Sequence, residues 1–431
     1  MRKRRFLALF ALATTFCLSS CSLFNDDDIA IVNHYNPTET PEPIPPGSVV
    51  VDGGVVGKPV STVENALCFK NIPYDVDNVI PNTYKTGGEN EIIYNVNGGE
   101  DYYGDAQSNN YDLYVPNSDI TPRDQDHIVM LFIHGGAWVM GYKTDVNPYV
   151  HEFANRGYIT ATIKYTKLHR AMDDPTLSIF RDLDEIDACI KSIKKVLGEL
   201  GFDTAKTHLV IGGASSGAHL TMLYAYSRGQ RSALPIEFLV NAVGPVDIKE
   251  SAWRCFRNDD GREDGLYGSA FNDQPKERLI IQGEDGDPTW NDYQTMRIAN
   301  GMCGMPFSLS EVKATTDENK EEILYPNAAS NSMLMAGGGE DLLSATYWIN
   351  QGINHFPIIC AYAGKDTVVG INQYATLAAA LDNQGIDHLI HSDNTGYVYF
   401  KDSEHNKITR EYDQVNYDKL IEEIDYRCNN L

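Results

Sequence analysis

The chain has 431 residues, with 35 Lys and Arg against 60 Asp and Glu and a formal net charge of −25. A body this acidic repels phosphate backbones and anionic membrane surfaces, so nucleic acid is excluded as an expected partner. Its eight cysteines show no CxxC or Cys/His metal spacing, and no metal or organic cofactor is implied.

The first segment, MRKRRFLALFALATTFCLSSC, has a basic start and an apolar run from Phe6 to about Leu18. That run is too short to span a bilayer and reads as a secretory leader over residues 1–20. Leu18-Ser19-Ser20-Cys21 resembles the lipobox of bacterial lipoproteins, and by that resemblance Cys21 carries a lipid. Loss of Arg2, Lys3, Arg4 and Arg5 with the leader leaves 31 basic against 60 acidic side chains. Residues 21–48 combine the acidic run Asp26 to Asp28 with a proline-rich stretch and read as an extended spacer. The acidic run also resembles the surface-export tags of some outer-membrane lipoproteins. No later stretch approaches the ~18 apolar residues of a spanning helix. The expected location is therefore the cell envelope, with a soluble body lipid-anchored to the outer membrane on its periplasmic or surface-exposed face.

Residues 49–431 are long enough for one large α/β domain with insertions. Near-continuous apolar runs at 127–134 (HIVMLFIH), 158–165 (YITATIKY), 208–211 (HLVI), 236–243 (IEFLVNAV) and 357–363 (PIICAYA) predict strands buried on both faces. Phe180, Leu183, Ile186, Ile190, Ile193 and Leu197 recur at helical spacing, and further helices are expected from Tyr374 and over Val415 to Tyr426. Alternating strand and helix predicts a mostly parallel, doubly wound sheet with its ligand beyond the carboxyl ends of the strands. The polar, glycine-dotted stretch from about 249 to 351 breaks this rhythm and reads as a long insertion, a possible lid, between late strands.

Chemistry concentrates around LVIGGASSGAHL, residues 209–220. The spacing GxSxG fits Gly213, Ser215 and Gly217 and excludes Ser216, which would need a glycine where Ala214 stands. An apolar strand before it and a helix-compatible run after it make a strand–turn–helix elbow, whose sharpness demands small residues on both sides of the serine. Upstream, LFIHGGAWVMGY (131–142) predicts a turn after a strand. Backbone N–H groups of Gly135, Gly136 and Ala137, joined by that of Ser216, would form an oxyanion hole there. His134 is expected to lock that turn rather than act as a base. Trp138 and Tyr142 would line a pocket or simply pack.

Together, HGGAW and GASSGAHL resemble the α/β-hydrolase esterases, in particular the hormone-sensitive-lipase-like branch and its carbohydrate-esterase and kynurenine-formamidase-like relatives. Residues 49–76 and YDLYVP (111–116) are similar to the amino-terminal strands of type-B carboxylesterases. Ala218 and Ala137 depart from the family's extra glycines but keep the backbone donors. The resemblance implies that Asp366, in the GKDTVV segment, is the triad carboxylate, aspartate rather than the type-B glutamate. For the base, the order Ser, Asp, His leaves His388, His391 and His405. The first two lie in IDHLIHS, which alternates like the last strand. His405 stands on a loop beyond it, where the family places its base. His219, one turn along the elbow helix, reads as a hydrogen-bonded packing residue.

The reading is a serine carboxylic-ester hydrolase acting through an acyl-enzyme, on short acyl esters or an ester-decorated carbohydrate. A peptidase of the same fold and a non-catalytic carboxylesterase-like binding or adhesion module stay open as alternatives.

Overall fold

The computed structural model describes residues 49–51, 54–56, 60–63, 66–76, 83–86, 92–95, 109–116, 125–138, 141–167, 179–247, 342–366, 368–369 and 372–431. The leader, Cys21, the spacer to residue 48, the stretch 248–341 and its Cys255 and Cys303 lie outside them.

Among the described residues nine strands pair into one sheet: β1 (Val60–Val63), β2 (Ala66–Pro73), β3 (Asn110–Pro116), β4 (His127–Ile133), β5 (Ile159–Lys164), β6 (Thr207–Ala214), β7 (Ile236–Ala242), β8 (Ile358–Ala363) and β9 (Val398–Phe400). Their spatial order is β9-β8-β7-β6-β4-β5-β3-β2-β1. The strands from β4 to β9 run parallel. β1, β2 and β3 add an antiparallel flank at β5. Two short hairpins, Val49–Val51 with Gly54–Val56 and Thr83–Thr86 with Ile92–Asn95, pair separately from it.

Crossover helices cover both faces. They are α1 (Asn147–Asn155), α2 (Ile179–Glu199), α3 (Ser216–Arg228), α4 (Ala345–Asn350), α5 (Asn372–Gln384) and α6 (Gln414–Cys428). Because side chains alternate along a strand, each central strand feeds two cores. Val129, Leu131 and Ile133 of β4 pack with α2, α3 and α5, while Met130 and Phe132 pack with α1 and α6. This is why β4, β6, β7 and β8 read as largely apolar runs rather than alternating ones. α3, running directly from the elbow, is buried from Ser216 to Tyr226 and so is apolar all round rather than amphipathic. Ala345 and Ile349 of α4 belong to the same core, so the last ten residues assigned to the insertion are part of the folded body. The remainder of the insertion lies between β7 and β8. Cys68, Cys189, Cys360 and Cys428 are buried free thiols.

One expectation is corrected. IDHLIHS is not the last strand; that strand is β9 at Val398–Phe400. The alternation in the segment arises because Ile386 and Ile390 are buried while Leu389 is exposed, without a ladder to pair with. Its polar side chains bond elsewhere. His388 contacts the Tyr374 hydroxyl at 3.1 Å and Asp382 at 3.0 Å, and His391 Nδ1 meets Glu423 at 2.6 Å with its ring stacked on Tyr426.

A buried polar cluster joins the antiparallel flank to the turn that opens α1. Lys143 Nζ donates to Asp112 Oδ1 at 2.8 Å, to Asn110 Oδ1 at 2.7 Å and to Asn71 Oδ1, so three acceptors meet its three donors. Asn71, at a bulge of β2 with φ +56°, also donates its backbone N–H to Asp112 Oδ1. Lys143 and Asp112 side chains are 5% and 3% exposed, so removing one charge strands the other in the interior. Lys143→Met is expected to cost about 3–5 kcal/mol in urea unfolding, and adding Asp112→Asn to recover a large part of it. A loss below about 1 kcal/mol for the single variant would show that the pair does not hold this corner.

Candidate active site

The site is built on the carboxyl ends of β4, β6, β8 and β9. At the end of β6 the chain reverses into α3 through Ser215, whose φ of +53° and ψ of −122° are a sparsely populated conformation for a residue with a side chain. The flanking glycines are required by close approach. A Cβ on Gly213 would lie 2.4 Å from the carbonyl carbon of Gly217, and one on Gly217 would lie 2.1 Å from the Ile133 carbonyl oxygen. The elbow is pinned by Ser215 N–H donating to Ala242 O at 2.8 Å.

Three of the residues singled out in the sequence meet here. His405 Nε2 is 2.8 Å from Ser215 Oγ, and His405 Nδ1 is 2.7 Å from Asp366 Oδ2. A carboxylate only accepts, so Nδ1 carries the proton and Nε2 presents its lone pair to the serine hydroxyl. The Asp366 side chain is fully buried, and its other oxygen accepts from the Val368 and Val369 N–H groups, each at 2.8 Å. One oxygen thus holds the turn after β8 and the other holds the imidazole. The turns after β8 and β9 are laced together by Gly364 N–H to Phe400 O at 2.9 Å and Lys365 N–H to Ser403 O at 3.0 Å. His388 and His391 stay away from this group, held by the partners described above.

Facing the elbow is the loop after β4. Gly136, Ala137 and Trp138 all have positive φ (120°, 51° and 61°), which turns the backbone sharply beside Ser215. A Cβ on Gly135 would lie 3.1 Å from the Ser215 Cβ. Ser216 is the first residue of α3, where backbone N–H groups lack helical acceptors and the helix dipole favours negative charge. His134 is fully buried, stacks on Tyr165 at 4.4 Å, and its Nδ1 is 2.7 Å from Gly135 O. Burial holds its pKa down to about 3, so it locks the loop as a neutral ring.

Two features were not legible in the sequence. Trp138 Nε1–H donates to His219 Nδ1 at 3.2 Å, and His219 Nε2–H donates to Leu343 O at 2.7 Å. Gln373 of α5, 2% exposed, accepts from Val246 and Asp247 N–H, fixing the chain as it leaves β7. Neither contact has a sequence signal, since the partners are 81 and 126 to 127 residues apart and belong to no spacing pattern. Among the described residues no group of His, Cys, Asp and Glu is arranged to hold a metal ion.

Burial depresses the pKa of His219 from 6.5 to about 4. The unfolded chain therefore takes up a proton between these values that the folded chain refuses, and this residue's contribution to stability falls as pH drops from above 6.5 toward 4. Glutamine can supply the same acceptor and donor without titrating. Between pH 7 and pH 5 the wild type is expected to lose about 2 kcal/mol more unfolding free energy than His219→Gln. Parallel pH profiles of the two proteins in denaturant titrations would contradict this.

The BD-FAE family model matches residues 111–277. A probable isoprenylcysteine α-carbonyl methylesterase of Oryza sativa subsp. japonica is 29% identical over 178 residues, covering 39% of this chain and 39% of that protein. The non-reducing polyketide synthase adrD of Penicillium roqueforti is 27% identical over 170 residues, 38% of this chain and 6% of that protein. The chain thus spans well under half of the length of these relatives. The crystal structure of esterase B from Lactobacillus rhamnosus overlies 85% of this chain and 90% of its own, at 13% identity and a TM-score of 0.47. The family match begins on β3 and runs past the end of β7, taking in the strands that carry the HGG turn and the elbow, so the chain has the fold of the α/β-hydrolases and is similar in sequence to esterases.

Proposed function

We propose that this α/β-hydrolase is a serine carboxylic-ester hydrolase in which Ser215, His405 and Asp366 act in series. The observation that carries the reading is the pair of short contacts from one imidazole, 2.8 Å to a serine hydroxyl on a strained elbow and 2.7 Å to a buried carboxylate. A serine alcohol is a weak nucleophile until a base at that distance accepts its proton. In the proposed cycle His405 Nε2 takes the Oγ proton as Oγ bonds to the ester carbonyl carbon. The resulting oxyanion lies between the N–H of Ser216 and the N–H groups of the loop Gly135, Gly136 and Ala137. Collapse breaks the carbon–oxygen bond to the alcohol, which leaves with the proton from His405. Water, deprotonated by the same nitrogen, then attacks the acyl-enzyme, and the acid departs with Ser215 restored. Asp366 keeps the imidazole in the required tautomer and stabilises its charged form.

The substrate class we propose is a short acyl ester or an ester-decorated carbohydrate. The methylesterase relative supports hydrolysis of an ester with a small leaving alcohol. A non-catalytic module finds no support, because every position of the hydrogen-bonded series is filled, and no specific observation favours a peptidase. We also propose that the leader and Cys21 anchor this domain by lipid in the cell envelope, on the strength of the LSSC segment and the spacer behind it.

A fluorophosphonate probe is expected to label the wild type and Ser216→Ala, which keeps its backbone N–H, but not Ser215→Ala. Labelling that survives Ser215→Ala would remove that residue from the mechanism. With p-nitrophenyl acetate, His405→Ala should lose about 10⁴-fold or more in kcat, and His391→Ala should stay near wild type. The opposite ranking would move the base elsewhere. Metabolic labelling with a fatty-acid analogue should mark the wild type and not Cys21→Ser; equal labelling of both would overturn the anchor.

A further inference from the structure

We propose that His219 is a positioning residue for catalysis, gripping the oxyanion loop through Trp138 and so setting its distance from the amino terminus of the elbow helix. The inference rests on the esterase reading above and deepens it.

The oxyanion donors come from two chain segments about 80 residues apart, the loop 135–137 and the start of α3. Hydrogen bonds to a developing charge act only if both segments are held within a few tenths of an ångström of the productive spacing. The loop is not at ease by itself. Ala137 and Trp138 are consecutive non-glycine residues with φ of +51° and +61°, a conformation that persists only where surrounding contacts over-determine it.

His219 provides such a contact. Its backbone N–H donates to the carbonyl of Ser215 at 3.0 Å, so it sits one helical turn beyond the nucleophile on the same rigid element. Its ring is fully buried, with Trp138 edge-on at 5.3 Å and an interplanar angle of 89°. The Trp138 indole N–H points at Nδ1, and Nε2–H points at the Leu343 carbonyl, where the chain re-enters the core before α4. Both ring nitrogens are used, in opposite senses, which specifies the neutral imidazole with its proton on Nε2. An apolar side chain would fill this space without directing the indole. His134, the other buried histidine of the site, bonds the loop's own backbone and so does not bridge to α3.

The test uses His219→Phe, which keeps a ring but neither hydrogen bond, His219→Gln, which can accept from Trp138 and donate to Leu343, Trp138→Phe, and the His219→Phe/Trp138→Phe double variant. Each is checked for folding by circular dichroism and then assayed with p-nitrophenyl acetate. A misplacement of about an ångström at the reacting centre costs on the order of 10²-fold, so His219→Phe and Trp138→Phe should each lose about 10- to 100-fold in kcat with KM within about threefold. The double variant should be no worse than the poorer single, since both break one link. His219→Gln should recover most of the rate. If His219→Phe fails to fold, Trp138→Phe and His219→Gln carry the same test.

The inference is overturned if the folded variants keep kcat within about threefold of wild type, if the two losses multiply in the double variant, or if glutamine is no better than phenylalanine. If the wild type neither turns over the ester nor takes the fluorophosphonate at Ser215, the esterase reading falls and this inference falls with it.

Discussion

The arrangement of this site depends on one close approach, that of the first turn of α3 to the end of β4. Gly217 brings its backbone so near the Ile133 carbonyl that a Cβ would sit 2.1 Å from it. Because the helix starts this close to the sheet, Ser215 is forced into a positive-φ elbow and its hydroxyl is thrown clear of the strand ends. The same approach places the unsatisfied N–H groups of the helix beside the HGG loop, which leaves β4 at that point. The position of the Ser215 hydroxyl and that of the first turn of α3 beside the HGG loop are thus consequences of a single packing constraint, which is why Gly213 and Gly217 have no room for a side chain.

Around that constraint lie buried polar groups held by specific hydrogen bonds. Asp366 divides its two oxygens between the turn that bears it and the imidazole of His405. Lys143 gathers Asp112, Asn110 and Asn71 where the loop after β4 runs on toward α1. His134 and His219 are kept neutral by burial, so each can accept or donate in a fixed direction. Leaving such a group unpaired costs more than an apolar replacement would, so the hydrogen bonds these groups make specify one loop conformation rather than adding greatly to stability.

Much of the architecture was legible because its signals are local. β-Branched apolar runs with helical spacing between them predicted the strands β4 to β8 and the helices α2, α5 and α6, since a strand buried on both faces has no polar register to read. IDHLIHS misled because two buried isoleucines with exposed neighbours mimic strand alternation, and nothing local distinguishes an irregular segment that buries alternate side chains from one that pairs. Order along the chain left His388, His391 and His405 together; His405 was set apart by the strand expected over IDHLIHS, which does not form, and by resemblance, whereas the hydrogen bonds that occupy the other two are tertiary.

By itself the amino-acid sequence determined which residue types could do the chemistry and the order in which the fold would present them. Glycines at 213 and 217 admit only one serine to the elbow, and the strands on either side place that elbow at a carboxyl end of the sheet. Only the tertiary structure decided that Asp366, His405 and Ser215 stand in hydrogen-bonding series and that Trp138, His219 and Leu343 form a second series behind the loop after β4. The reason is physical: hydrogen-bond partners so far apart in sequence are chosen by how helices and loops pack on the sheet, and that packing leaves no periodic trace in the residues it joins.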